Sequence, residues 1–433
     1  MAASNNSLQQ PLTISIVGAG IGGLTAAVAL RRNGHNVQIF EAAEIKTEVG
    51  AAVGVQTNSL RVLDHLGVSR ENLKGVPWQK SMILSSDGGE VTTYPWLVPA
   101  MQANGLLCHR SDLYEELKRM ATDGEGEGPP AKLRLGTKVV ACHVEEGSVT
   151  LDSGEVVHAD LILGADGVHS VIRPQIIGSV LNAQDSGLSC FRVVLEAANL
   201  KNIPELEWLH ANVSGTRSII PTEGQFRMFL IYPCRNGSLL NVVAFYPRSE
   251  EEAGKYSKAL LTFAQIIVLS AGWTPTATPE EFLTKFRDFD PKFLHILDLP
   301  RHSPILKWKL RVLPHLPNWV LGRAALLGDA AHGTLPLLGQ GAGMAVEDAG
   351  SLACLLPAGT RREDVPARLE AYQDLRRQRG EFVRDESVAQ ASKGFGYVRS
   401  REIQRYLLEY DAIKAAKEFY RERFGGDGVS QAK

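Results

Sequence analysis

Cysteine is scarce. Five residues in 433, at Cys108, Cys142, Cys190, Cys234 and Cys354, are odd in number and include no CxxC pair. That pattern excludes a disulfide framework, offers no zinc-ligand spacing and fits a reducing, cytoplasmic compartment, with no metal expected. An excess of one charge is lacking too. Lys and Arg total 46 against 48 Asp and Glu, a net −2, so nothing electrostatic draws the chain to nucleic acid or to a membrane surface. Long hydrophobic runs are also absent. The longest, residues 259–271, is interrupted by Thr262, Gln265 and Ser270 and falls short of the roughly 20 residues that span a bilayer. It reads as a buried helix or strand of a second domain. The first ten residues are polar and show no basic-then-apolar pattern, so no secretory signal is expected.

What the chain has in quantity is size and glycine. With 433 residues, 44% hydrophobic and 22% charged, two packed domains are expected, with room for a large buried ligand. Thr13-Ile14-Ser15-Ile16-Val17 is a β-branched run that stops at Gly18-Ala19-Gly20-Ile21-Gly22-Gly23. Helical spacing follows over 24–32, then a second strand at Val37-Gln38-Ile39-Phe40. In this βαβ unit Gly18 permits the tight turn, Gly20 lets the backbone approach a pyrophosphate, and Gly23 lets helix and strand pack closely. Glu41, at the end of the second strand, is placed to accept hydrogen bonds from a ribose. The adenosine half of FAD or of NAD fits equally at this step.

Two further runs carry chemistry. Asp160-Leu161-Ile162-Leu163-Gly164-Ala165-Asp166-Gly167 reads as a strand entering an acidic turn, and Asp166 suits either a turn or a ligand. Far down the chain, Gly328-Asp329-Ala330-Ala331-His332 follows a strand, and Pro336 and Gly339-Gln340-Gly341-Ala342-Gly343 lead into a helix with Glu347-Asp348. A carboxylate such as Asp329 suits the hydroxyls of a ribityl chain. A helix start at Gly341 and Ala342 suits the N1 to C2=O edge of a reduced flavin, where negative charge accumulates. The acidic, glycine-rich stretch 123–130 reads as a solvent loop. From about 186 to 304 the pattern turns strand-rich, with alternation over 227–232 and 239–246 around Arg235-Asn236-Gly237-Ser238. After Glu347 it is helical, with a basic cluster at Arg376-Arg377-Gln378-Arg379.

On these residues the chain resembles the class A flavoprotein monooxygenases, of the para-hydroxybenzoate hydroxylase fold and nearest the salicylate hydroxylase-like branch. The resemblance runs from Ile14 to about Val388. The glycine run at 18–23, Glu48-Val49-Gly50-Ala51-Ala52, Asn58-Ser59-Leu60-Arg61-Val62-Leu63, His109-Arg110-Ser111-Asp112-Leu113, Gly164-Ala165-Asp166-Gly167, the Gly328-Asp329 run, and Tyr372 with Arg376 to Arg379 carry it. It implies an α/β fold: a discontinuous Rossmann-like FAD-binding domain (residues 11–85, 106–185 and 306–360) and a substrate domain of mixed or antiparallel β-sheet (86–105 and 186–305). C-terminal helices over 361–433 and a disordered stretch over 1–10 complete it.

The same resemblance assigns roles. Glu41 would hold the adenosine ribose, Ala52 would lie at the cofactor, Arg110 would meet the pyrophosphate or ribityl region, and Asp329 the ribityl hydroxyls. Asp166 and Gly167 would serve both FAD and a transient NADH or NADPH. FAD, once reduced, would react with O2 to give a C4a-hydroperoxide that hydroxylates a small aromatic substrate. Arg192 could hold a phenolate or carboxylate, Tyr232 could relay a proton, and Pro336 would sit beside the reacting ring. His332 suits packing or capping better than base catalysis. Leu337-Leu338 gives an apolar wall where many relatives carry an aromatic or His, so a larger phenolic, polyketide or indole-type substrate fits as well as a benzoate. Residues 259–271 read either as a lid or as the product of an unspliced gene model. A flavin epoxidase, or a flavin-binding protein without oxygenase activity, are the alternatives. A monomer or homodimer is expected, with no nucleic acid and no membrane span.

Overall fold

The computed structural model describes residues 10–44, 52–89, 91–95, 105–210, 214–221, 224–248, 276–393 and 401–425. Residues 48–51, 259–271 and the first nine lie outside that set. The β-branched run Thr13–Val17 forms the centre of a parallel sheet, between Asn36–Phe40 and Leu161–Gly164. Lys132–Arg134 extends the sheet on one side and Ala324–Leu326 on the other, with Val320–Leu321 antiparallel at the edge. Residues far apart in the chain thus build one sheet. Val17, Phe40, Gly164 and Leu326 end its parallel strands on the same side, where ligands bind in open α/β sheets. Ile21–Arg32 covers it, almost every position buried, and packs on Gly341–Leu355. The expected solvent loop near 123–130 also anchors this first helix, since the buried Arg31 guanidinium donates to the carbonyls of Met120, Asp123 and Gly128.

A second sheet has seven strands: Leu306–Val312, Gln184–Glu196, Leu239–Pro247, Met228–Cys234, Gly215–Ile220, Lys80–Ser85 and Val91–Pro95 in spatial order. Its pairs are antiparallel except Gly215–Ile220 with Lys80–Ser85. Leu306–Val312, which the sequence reading groups with the nucleotide-binding part, pairs here instead, and Lys80–Ser85 enters earlier than expected. Conversely Gly105–His109 joins Ala52–Val55 and Val76–Trp78 in a small sheet of three.

Period-two alternation gives the seven-stranded sheet two unlike faces. Phe191, Val193, Phe229 and Val242 pack against Phe282 and Phe286 of the helix Pro279–Phe286. The opposite face presents Cys190, Met228, Val243 and Phe245 to Leu335 and Leu337. That second face turns toward the loop after Gly328. Among the described residues, no helix is long and apolar enough to cross a membrane.

Candidate functional site

Two helix starts meet at the C-terminal edge of the parallel sheet. Gly18, at φ +102°, turns the chain so that its amide reaches Phe40 O at 2.8 Å, and Gly20 then caps Ile21–Arg32 without any side-chain bond to the free amides. A Cβ on Gly23 would collide with the Gly18 carbonyl, so that position tolerates only glycine. A Cβ on Gly20, by contrast, would meet nothing within 4 Å. The second start is Gly341–Leu355, capped by Gln340, again with no side-chain cap, and Gly341 also faces open space. A Cβ on Gly22 would lie 3.0 Å from the Ala345 Cβ, which sets the two starts side by side. Two sets of uncapped amides with the positive ends of two helices form an anion-binding edge.

Carboxylates flank it. Glu41 accepts from the amides of Ala19 (2.9 Å) and Ala43 (3.1 Å), tying the glycine turn to the second strand. Asp329 opens the one-turn helix Asp329–His332 and is exposed. Arg110 is half-buried at the start of Arg110–Thr122. Asp166 behaves first as a turn residue: its Oδ2 accepts from Val171 (2.7 Å) and Ile172 (3.3 Å), while its Oδ1 is buried without a partner. Burial raises its pKa against the pull of those hydrogen bonds.

Behind the second helix start lies a buried charge network. Asp348 Oδ2 accepts from the Gly328 amide (3.0 Å) and pairs with His332 Nε2 (2.6 Å), and Oδ1 accepts from Arg376 Nε (2.9 Å). Glu347 binds Arg376 (2.7 Å), Arg379 (2.7 Å) and Asn58 (2.6 Å), and Asn58 and Gln56 hold the Gln340 amide. Burial alone would raise Asp348, but His332 and Arg376 outweigh it and bring its pKa down to about 2. Glu347 is likewise lowered against burial, by Arg379 and Arg376. Sequence flagged both halves of this network without joining them. The basic cluster is not a solvated face, since Arg376 and Arg379 are buried; their spacing of three, one helical turn, was the available signal. His332, expected to pack or cap, is buried and pairs with Asp348.

The seven-stranded sheet carries Arg192 and Tyr232 on the face that meets the loop after Gly328. Arg192 is half-buried, its Nε is buried without a partner, and among the described residues it forms no ion pair. Tyr232 is placed as expected, but its hydroxyl donates to Ala52 O at 3.0 Å, and burial raises its pKa well above that of a free phenol. Asn241, its cross-strand partner, accepts from the Ala52 amide at 3.1 Å. The proton-relay expectation therefore gives way to a grip on Ala52, which sequence missed because Asn241 belongs to no motif. Pro336 is exposed between the buried Leu335 and Leu337.

A protein-family model described as an FAD binding domain matches residues 12–239 and 306–387. Hispidin-3-hydroxylase of Neonothopanus nambi is 38% identical over 427 residues, 95% of this chain and 96% of that protein. The chain belongs to the class A FAD-dependent monooxygenases. A salicylate hydroxylase of Pseudomonas putida is 30% identical over 86% of this monooxygenase and 83% of its own length. Solved structures share the fold: CtdE in complex with FAD and substrate has a TM-score of 0.76 at 19% identity, covering 95% of this chain and 98% of that one. A salicylate hydroxylase substrate complex reaches 0.72 at 24%, covering 94% and 98%. FAD is the cofactor of the monooxygenase, with the NAD(P)H and O2 typical of its class. The open cradle at Gly20 and Gly341, the uncapped amides and the exposed Asp329 fit that cofactor.

Proposed function

We propose that this flavoprotein hydroxylates a phenolic or enolic ring held as its anion by Arg192 beside Pro336, and that hispidin is the first substrate to test, given the relative that carries that name. One observation carries the reading: a half-buried arginine with an unpartnered Nε on the sheet face that meets the Pro336 loop. A half-buried cation without a counter-charge favours an ionised oxygen brought by a ligand. Arg192 would thereby lower the pKa of a bound phenol and raise electron density in its ring.

The chain's residues divide the remaining work. Gly18, Gly20 and Gly23 would bring the first helix start to the pyrophosphate, Glu41 would hold the adenosine ribose, and Arg110 and Asp329 the linker and ribityl chain. The amides at Gly341 and Ala342 would face the ring's carbonyl edge, with Ala52 across from them. Asp166 and Gly167 hold the turn beside Gly18. Bound FAD supplies electrons from NAD(P)H and transfers one atom of O2. Leu335, Leu337 and Leu338 would exclude water from the reacting ring.

Hispidin should accelerate NAD(P)H oxidation by the yellow holoenzyme. Arg192→Ala should keep its FAD and lose most hydroxylated product per NAD(P)H consumed. Unchanged coupling in that variant would remove Arg192 from substrate binding.

A further inference from the structure

The edge strand Leu306–Val312 sends Leu306, Trp308, Leu310 and Val312 to one face. The register pairs Leu306 with Arg192 and Trp308 with Cys190, so this is the face that carries Arg192. Leu306, Leu310 and Val312 are 6%, 8% and 7% exposed, whereas Trp308 is 39% exposed. Cover is therefore interrupted at one position, and that position holds the largest apolar side chain. Leu310 and Cys190, on either side of the gap, pack with Leu335 and Leu337 around Pro336. The gap thus adjoins the wall assigned to the reacting ring. The Arg192 guanidinium carbon lies 5.8 Å from the Trp308 ring centroid. The pairing between Gln184–Glu196 and this strand also shifts register between Asp185 and Ser189, an irregularity of the kind that re-aims side chains near binding sites.

We infer that Arg192 and Trp308 form a two-part recognition surface for a planar conjugated anion of at least two rings, Arg192 taking the ionised oxygen and Trp308 stacking the ring beyond it. A one-ring benzoate would satisfy Arg192 and leave the Trp308 face wet. A second ring covers that face, and aromatic stacking with a neighbouring guanidinium favours it further. The inference rests on the hydroxylase reading for the orientation of the ligand, and names the substrate class of that same site.

A matched pair of probes tests it: salicylate and 1-hydroxy-2-naphthoate share the anionic head and differ by one fused ring. Dissociation constants are measured by equilibrium dialysis on the FAD-loaded enzyme without NAD(P)H. The naphthoate should bind more tightly than salicylate. Trp308→Ala should reduce that preference by about five- to tenfold, Trp308→Phe should keep most of it, and Arg192→Ala should weaken both ligands, the naphthoate at least as much as salicylate. Should Trp308→Ala lose FAD, Trp308→Leu carries the same comparison. An unchanged preference, equal weakening of both ligands by the Trp308 variant, or no binding of either probe overturns the inference. Failure of the hydroxylase reading looks different: the preference persists while no aromatic accelerates NAD(P)H oxidation.

Discussion

Asp329 shows how a single residue can be read from sequence through its neighbours. A carboxylate after a strand and before glycines suits sugar hydroxyls, and the structure leaves it exposed beside the second helix start. Asp329→Ala should weaken FAD retention by about tenfold or more, the worth of a charged hydrogen bond, as read by flavin absorbance after gel filtration. Full yellow occupancy would end its ribityl role. Tyr232 was legible only to its strand and face, because alternation fixes direction while a hydroxyl's partner depends on another segment. Tyr232→Phe removes the donor to Ala52 and should cost about 1 kcal/mol of stability while leaving the pH–rate profile between 7 and 9 in place. Loss of a basic limb in that range would restore the relay. Glu41 was legible in place, since strand, turn and helix fix it locally, but its bonds to the Ala19 and Ala43 amides were not.

At the scale of elements, the helices Gly341–Leu355 and Val365–Lys393 are joined by Glu347, Asp348, Arg376 and Arg379 rather than by an apolar seam alone. Arg379 reaches on to the carbonyls of Tyr406 and Leu407, docking Arg401–Leu408 on the same network. Glu347→Gln leaves the buried Arg379 without a counter-charge and Arg376 with Asp348 alone, and should destabilise the fold by about 3–5 kcal/mol, a loss visible in urea unfolding. Acid should act on the same joint. Asp348 and Glu347 have folded pKa values below their unfolded ones, so their contribution is fully present above the ordinary carboxylate pKa of about 4 and is lost as pH falls toward about 2. Stability should therefore be flat in these groups from pH 7 to 5 and fall steeply below 4; a fall beginning near pH 6 would implicate other groups. The partners were invisible in sequence because about thirty residues separate them, and charge patterning resolves neighbours on one helix, not two helices in contact.

For the whole molecule, the fold class was legible because its punctuation is local: β-branched runs ending at glycine mark the parallel strands, and alternation marks the second sheet. Sheet membership was less so. Leu306–Val312 alternates like any half-covered strand, and only its register with Gln184–Glu196 shows which sheet it joins. That assignment also brings Trp308 to the site. The molecule as a whole sets two helix starts, some 320 residues apart in sequence, side by side at the edge of one sheet, with Arg192 on a second, and class membership gives this arrangement its oxygen chemistry. The most direct measurement is turnover of hispidin by the yellow enzyme with NAD(P)H under 18O2. The expected product is heavier by one 18O atom and forms only when NAD(P)H is consumed. A product without label, or NAD(P)H consumption that no aromatic changes, would contradict it.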